Sequence, residues 1–256
     1  MFGNNRGGFL ASIPPVTKNL IIINFIVWLA EAIVPRFSDI IIRVLGLHYF
    51  SASDFNPIQV LTYMFVHAPS SPFHVFFNMF TLWMFGATLE RVWGSKRFFI
   101  FYFICGIGAA LVQEAVWSFS WMHEYVEGIA KLNGLTYDHM KAVVDSAIAG
   151  GDSDFLSAIA QFKNNAMVTI GASGAVFGLL LGFAFVFPNQ PLYLFFIPVP
   201  IKAKYMMIGY GVIEFFLGVG ANDMIAHFAH LGGMLFGLII LLYWKKKGTL
   251  RGGSFY

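Results

Sequence analysis

The chain has 256 residues, of which 58% are hydrophobic and 11% charged, and it carries a net charge of +3 with a mean hydropathy of +0.71. Soluble globular domains hold about a quarter charged residues, so this composition excludes that class and points to a membrane protein. The lone cysteine, Cys105, excludes an intrachain disulfide, and no basic patch with interleaved aromatics supports nucleic-acid binding.

A helix needs roughly 20 mostly apolar residues to cross a hydrocarbon core about 30 Å thick. Six stretches answer to that pattern: Leu20–Val34, Pro72–Leu89, Phe98–Ser118, Ser173–Phe187, Tyr205–Val219 and Ala226–Trp244. The first, fourth and fifth are short, so their flanks contribute or the bilayer thins around them. Asn24 and Glu31 interrupt the first run and no small-x-small cleavage site follows it, so it reads as a retained anchor rather than a signal peptide. The expected fold is therefore all-α: a polytopic bundle of six transmembrane helices over residues 19–244, preceded by an arm (1–18) and followed by a basic tail (245–256).

Residues 119–168, between the third and fourth spans, form the one long polar insertion. Asp138–Ile148 and Asp154–Phe162 have the periodicity of two short amphipathic helices, broken at Gly150-Gly151-Asp152 and capped by Asp152 or Ser153. A hairpin lying on the lipid headgroups is the plainest role for it.

Charge sets the expected orientation. With six spans, one compartment receives the arm, the second-to-third and fourth-to-fifth connections, and the tail. Those segments hold Arg6, Lys18, Arg91, Lys96, Arg97, Lys202, Lys204, Lys245, Lys246, Lys247 and Arg251, eleven of the sixteen basic residues, against the single acid Glu90. By the positive-inside rule both termini are cytoplasmic, and the insertion is extracytoplasmic in an integral protein of the cell (inner) membrane.

A charge at mid-helix costs about 2.5–3.5 kcal/mol on insertion scales, and polar groups in spans call for a reason. His74 and Asn78 lie one turn apart on the second span. Ser173 opens the fourth within Gly171-Ala172-Ser173-Gly174, and His230 lies one turn inside the sixth within Ala229-His230-Leu231-Gly232-Gly233. All three spans run inward, so these groups share one shallow depth. Gly174, Gly178 and Gly182 repeat every four residues, as do Gly233 and Gly237, giving small faces on which two helices approach closely. Packing those faces together brings the His230 imidazole to Ser173, which needs such a base to become a nucleophile. The amides near Ser173 and Gly174, with Asn78 or the His74 ring, are candidate donors to an oxyanion. No carboxylate is placed by sequence to complete a triad. Asp223, seven residues before His230, falls in the loop, so a Ser173/His230 dyad is expected; His227, beside Asn222 and Asp223, is read as lying at the hydrated mouth.

His74-Val-Phe-Phe-Asn78, Gly171-Ala-Ser173-Gly174 and Ala229-His230-x-x-Gly233-x-x-x-Gly237, in this order on alternate spans, resemble the rhomboid family of intramembrane serine proteases. Glu90 with Gly94-Ser95 is similar to that family's pattern as well, and the resemblance covers residues 55–245. Where many members carry Trp followed by Arg or Gln before the second span, this chain has Ile58-Gln59. The resemblance implies hydrolysis of peptide bonds in or near transmembrane segments of other proteins, without metal or cofactor. It also implies Ser173 as nucleophile, His230 as general base, and His74 with Asn78 as oxyanion stabilisers.

Two other readings compete. A catalytically inactive relative that binds membrane proteins would lack the serine or the histidine, and both are present. A metal-dependent membrane protein would use His67, His74, His227 and His230, yet there is no His-Glu-x-x-His, and Glu214 is the only carboxylate well inside a span.

Overall fold

A computed structural model describes residues 9–194, 197–220 and 226–249. Arg6 and Arg251 of the termini, and Asn222 and Asp223 beside the sixth span, lie outside the described residues. Helix α1 (Pro15–Ile33) is followed by the amphipathic α2 (Pro35–Leu45), the short strand β1 (Leu47–His48) and the single-turn α3 (Gln59–Thr62). Helix α4 (Pro72–Thr81) passes through one π-helical turn (Leu82–Gly86) into α5 (Ala87–Trp93). The long α6 (Ser95–Asn133), α7 (Tyr137–Ala149) and α8 (Ser153–Asn165) lead to β2 (Val168–Thr169) and α9 (Ser173–Val186). Strands β3 (Pro191–Leu194) and β4 (Ile197–Lys202) precede α10 (Ala203–Gly220) and α11 (His227–Lys246).

The protein is mostly helical, as expected, and to the helices are added, among the described residues, two small antiparallel pairs, β1 with β2 and β3 with β4. Each joins segments that share no local periodic signal. The first pair ties the segment after α2 to the strand just before α9, with Leu47 opposite Thr169, and so sets where α9 begins.

Among the described residues three helices are long and apolar enough to cross a membrane: Pro15–Ile33, Ser95–Asn133 and His227–Lys246; Ser173–Val186 is apolar but shorter. The third span was expected to end at Ser118, but α6 runs unbroken to Asn133, where Gly134 at φ +64° ends it in the left-handed region. Helices α7 and α8 fold back against this extension, and Tyr125, Val126, Ala130, Met140, Val144 and Ile159 make a small core of their own. Asp152 caps α8, accepting from the amides of Asp154 and Phe155 at 3.0 and 3.1 Å.

Buried polar groups tie the bundle at both ends. The Glu90 carboxylate accepts from the Val16 and Thr17 amides, the Thr17 hydroxyl and the Ser95 hydroxyl at 2.7–3.0 Å. It thereby satisfies orphan donors at the start of α1 and joins three helix ends. Trp93 meets Trp244 edge-on at 5.7 Å, which puts the C-terminal end of α11 at that same end of the bundle. Toward the other end, the two polar residues that interrupt α1 are inside. Asn24 donates to the Leu20 carbonyl, and Glu31 accepts from the His67 amide. Gln59, buried, accepts from the His48 and Asn56 amides and donates to the carbonyls of Arg43, Val44 and Asp54. One side chain thus holds together the connection between α2 and α4.

Candidate active site

The residues preceding α9 are held by backbone and ring contacts from a distant part of the chain. The Gly171 amide donates to the Tyr63 carbonyl at 2.9 Å, and the Ala172 amide donates to His67 Nε2 at 3.4 Å. Gly171 has φ +119°, a conformation that side chains other than glycine's rarely adopt. A Cβ there would lie 2.9 Å from Cε1 and Nε2 of His74, and 3.8 Å from Ser173 Oγ. Glycine therefore allows both the turn and the seating of the His74 ring beside the nucleophile candidate. The first hydrogen bond along α9 runs from the Val176 amide to the Ala172 carbonyl, so the amides of Ser173, Gly174 and Ala175 lack intrahelical partners.

Close approach of α9 and α11 is made by glycine. A Cβ on Gly233 would overlap the Gly174 carbonyl, and one on Gly178 would lie 2.9 Å from the Gly233 carbonyl. Gly237 faces the Gly178 Cα, with Cys105 of α6 filling the third side of the seam. Gly182 departs from the stripe: its neighbours are Trp93 and Phe101, so it admits the aromatic layer at the other end of the bundle rather than α11. The difference follows from the 3.6-residue turn, which rotates a four-residue repeat gradually off one face.

On this seam His230 Nε2 lies 2.8 Å from Ser173 Oγ. The Phe177 ring stacks on the imidazole at 4.2 Å with planes 8° apart, limiting its rotation. The other ring nitrogen, Nδ1, lies 2.9 Å from Glu214 Oε2. An ionised carboxylate only accepts, so Nδ1 carries the proton and Nε2 presents its lone pair to the serine hydroxyl. The expectation that no carboxylate is placed beside His230 is thereby corrected: Glu214, on α10, completes a hydrogen-bonded chain from Ser173 through His230.

His227 is corrected too. It is buried at 5% exposure rather than hydrated, and its Nδ1 lies 2.7 Å from the same Glu214 oxygen. Asn78 is buried on α4, with its side-chain amide donating to the His74 carbonyl at 2.9 Å. That bond uses one of the two N–H groups of the amide. The His74 ring also stands 5.0 Å from the His67 ring, between the α4 face and the Gly171 turn.

A family model, the Rhomboid domain, matches residues 54–124 and 138–247. The chain belongs to the rhomboid family. Among curated proteins it is similar to the mitochondrial Rhomboid protein 1 of Saccharomyces cerevisiae (strain ATCC 204508 / S288c), 27% identical over 176 residues. That match covers 68% of this chain and 38% of the yeast protein, so the chain spans well under half the length of that relative. The rhomboid match and the apolar helices make this an integral membrane protein.

His74, Asn78, Ser173, Glu214 and His230 all fall inside the matched segments. Sequence reasoning passed over three contributors: Glu214, His67 and the Tyr63 carbonyl. For Glu214 the signal was present, because a carboxylate in a span is costly enough to demand a partner. For His67 and Tyr63 no local signal exists, since their partners lie more than a hundred residues further along the chain.

Proposed function

We propose that this rhomboid-family protein is an intramembrane serine endopeptidase, cleaving peptide bonds in or near transmembrane segments of other membrane proteins. One observation carries the reading: Ser173 Oγ, His230 Nε2, His230 Nδ1 and Glu214 Oε2 form one hydrogen-bonded line, with bonds of 2.8 and 2.9 Å. It acts within six spans, with both termini cytoplasmic and the 119–168 insertion on the opposite side.

The chemistry follows from that line. His230 Nε2 takes the proton of Ser173 as Oγ attacks the substrate carbonyl, and Glu214 keeps the imidazole in the required tautomer while stabilising its positive charge. Negative charge then develops on the former carbonyl oxygen. The unpaired amides at the start of α9, with His74 and Asn78, are the donors nearest to receive it. His230 returns the proton to the departing amine, and the acyl-enzyme on Ser173 is hydrolysed by water through the same base. Apart from that water, each step draws on side chains and amides of the chain.

The test is a fluorophosphonate probe together with a panel of single-span membrane proteins. Wild type should label at Ser173 and cleave at least one substrate. Ser173→Ala should insert and fold but lose labelling, with cleavage down by about 10⁶-fold, as when a serine nucleophile is removed from a hydrolase. Cleavage by Ser173→Ala at the wild-type rate refutes the assignment.

A further inference from the structure

We propose that Glu214, His227 and His230 form a binding site for a divalent transition ion of the zinc class, and that its occupation switches the protease off. The inhibitory half of this rests on the proteolytic reading above; the binding half does not.

The donor set comes first. Two imidazole nitrogens and one carboxylate oxygen are a ligand combination that suits zinc, with the fourth position left to water. One nitrogen from each imidazole and one Glu214 oxygen lie within 4.8 Å of one another. The carboxylate oxygen is already 2.7 Å from one nitrogen and 2.9 Å from the other. Bonds of about 2.0–2.2 Å in a tetrahedral site hold donors roughly 3.3–3.5 Å apart. The cluster therefore needs only modest side-chain rotation to take an ion. The two rings stand at 90° with centroids 6.3 Å apart, so their Nδ1 atoms converge on one point instead of stacking past each other.

The surroundings favour a fixed site. His227 and His230 are three residues apart on α11, which sets their spacing, and both are buried. At Gly218 a Cβ would lie 3.2 Å from the His227 Cβ and 2.9 Å from the Phe228 ring, so α10 is drawn close beside the cluster. Magnesium and calcium prefer sets of oxygen ligands, and one carboxylate with two imidazoles gives them little.

Occupation and catalysis are mutually exclusive for a reason of bonding. As a base, His230 keeps its proton on Nδ1 and its lone pair on Nε2. A metal on Nδ1 takes the electron pair of the N–H bond there, and the displaced proton adds to the Nε2 lone pair, conserving the neutral imidazole. Nε2 then donates to Ser173 Oγ instead of accepting from it, so the serine has no base. Glu214, bound to the ion, no longer orients the ring. The ion here opposes catalysis, unlike the catalytic metal of the competing reading from sequence.

The experiment uses the full chain purified in detergent, first as Ser173→Ala, so that metal binding is read without reference to proteolysis. Cobalt(II) is titrated in, and the visible absorption of a tetrahedral nitrogen and oxygen site is followed; zinc should displace it. Removing even an outer-shell partner of a metal site weakens binding roughly 10- to 100-fold. Adding His227→Ala, or the shape-preserving Glu214→Gln, should therefore weaken the signal by more than about 100-fold, as fits the loss of a direct ligand. In the wild type, zinc should suppress cleavage and a chelator should restore it, while magnesium has no effect. His227→Ala, compared with its own uninhibited rate, should resist zinc. No cobalt band in Ser173→Ala, or an unchanged band in both ligand variants, overturns the site. Equal zinc sensitivity in wild type and His227→Ala overturns the switch. A chain that binds cobalt as described but cleaves nothing overturns the proteolytic reading and leaves the site standing.

Discussion

Ser173 and Glu214 meet His230 from two different helices, and those helices are held in different ways. Helix α9 lies backbone to backbone with α11, carbonyl against glycine, and its residues from Gly174 to Val186 are mostly buried. On α10, by contrast, Ile208, Val212, Ile213, Phe215, Phe216 and Val219 are at least half exposed, and a cleft of about 690 Å³ opens between it and α9 and α11. Leu181, Met207, Gly211, Phe215 and Met234 are among its lining residues. Ser173 and His230 are thus fixed by steric contact, whereas Glu214 rides on a helix with room beside it. The first contact fails all at once when the seam is forced open, and the second should fail by degrees.

The seam is the place for the largest effect. Gly233→Ala puts a methyl group into the Gly174 carbonyl, and the helices must separate. Overpacking of this kind costs about 1–3 kcal/mol, and a shift of even 1 Å at a reacting pair reduces rate by roughly 100-fold or more. Thermal unfolding in detergent should fall, and both cleavage and fluorophosphonate labelling should drop together. Gly209→Ala is the control on α10, where an added Cβ meets nothing within 4 Å. Alanine is the better helix former by about 0.5–1 kcal/mol, so that variant should unfold no earlier than wild type. Equal damage from both variants would mean that the close approach of α9 and α11 does not set the site.

On the α10 side, Glu214→Gln keeps the shape and removes the charge. The amide can offer an N–H to Nδ1 and so favour the wrong tautomer, a change that lowers kcat by about 10⁴ in a serine protease triad. With room for α10 to adjust, kcat should fall by roughly 10² to 10⁴ while folding is retained. Wild-type kcat in this variant would show that His230 needs no carboxylate. Asn78→Ala should be milder, at about 10²–10³ in kcat, the usual effect of losing one oxyanion donor. Substrate association should change little, since such a donor acts chiefly on the transition state. A rise in KM at constant kcat would make Asn78 a packing residue that steadies α4 through the His74 carbonyl.

The contrast between the two helices also separates what could be read in the sequence from what could not. Ser173, His230, Gly174, Gly178, Gly233 and Gly237 carry a local signature, because a fixed repeat on a helix defines a face and a face defines a partner. The hairpin of α7 and α8 was legible for a similar reason: its cap, Asp152, and its glycines stand at its own ends. Glu214 was visible as an anomaly but not as a partner. It lies sixteen residues before His230 and on a different helix, so no helical periodicity relates the two. His227 was misplaced because Asp223 and Asn222 stand four and five residues before it, whereas the structure buries it with Nδ1 at 2.7 Å from Glu214 Oε2 and its Cβ close to the α10 backbone at Gly218. The run of α6 to Asn133 was hidden by its change from apolar to polar composition at Phe119, which ends a span but does not end a helix.

His227 gives the smallest expected effect and the finest division between the two regions. It shares the carboxylate with His230 but has no place in the line from Ser173, so what it contributes to that line passes through the position of Glu214. In His227→Ala the oxygen loses the donor at 2.7 Å and keeps the one from His230 at 2.9 Å. A hydrogen bond to a charged group contributes about 1.5–3 kcal/mol, but most of that holds Glu214 and α10 in place rather than stabilising the transition state. The loss in kcat/KM should therefore stay within roughly tenfold, well short of the effect of His230→Ala, which should abolish cleavage and labelling alike. The measurement is the kcat/KM of both variants on one substrate in one detergent, with labelling as the second readout. If His227→Ala proved as inert as His230→Ala, the carboxylate would need both imidazoles to hold its position, and α10 would belong to the rigid part of the site. Activity in His230→Ala with none in His227→Ala would instead shift the register of α11 on α9 by one turn.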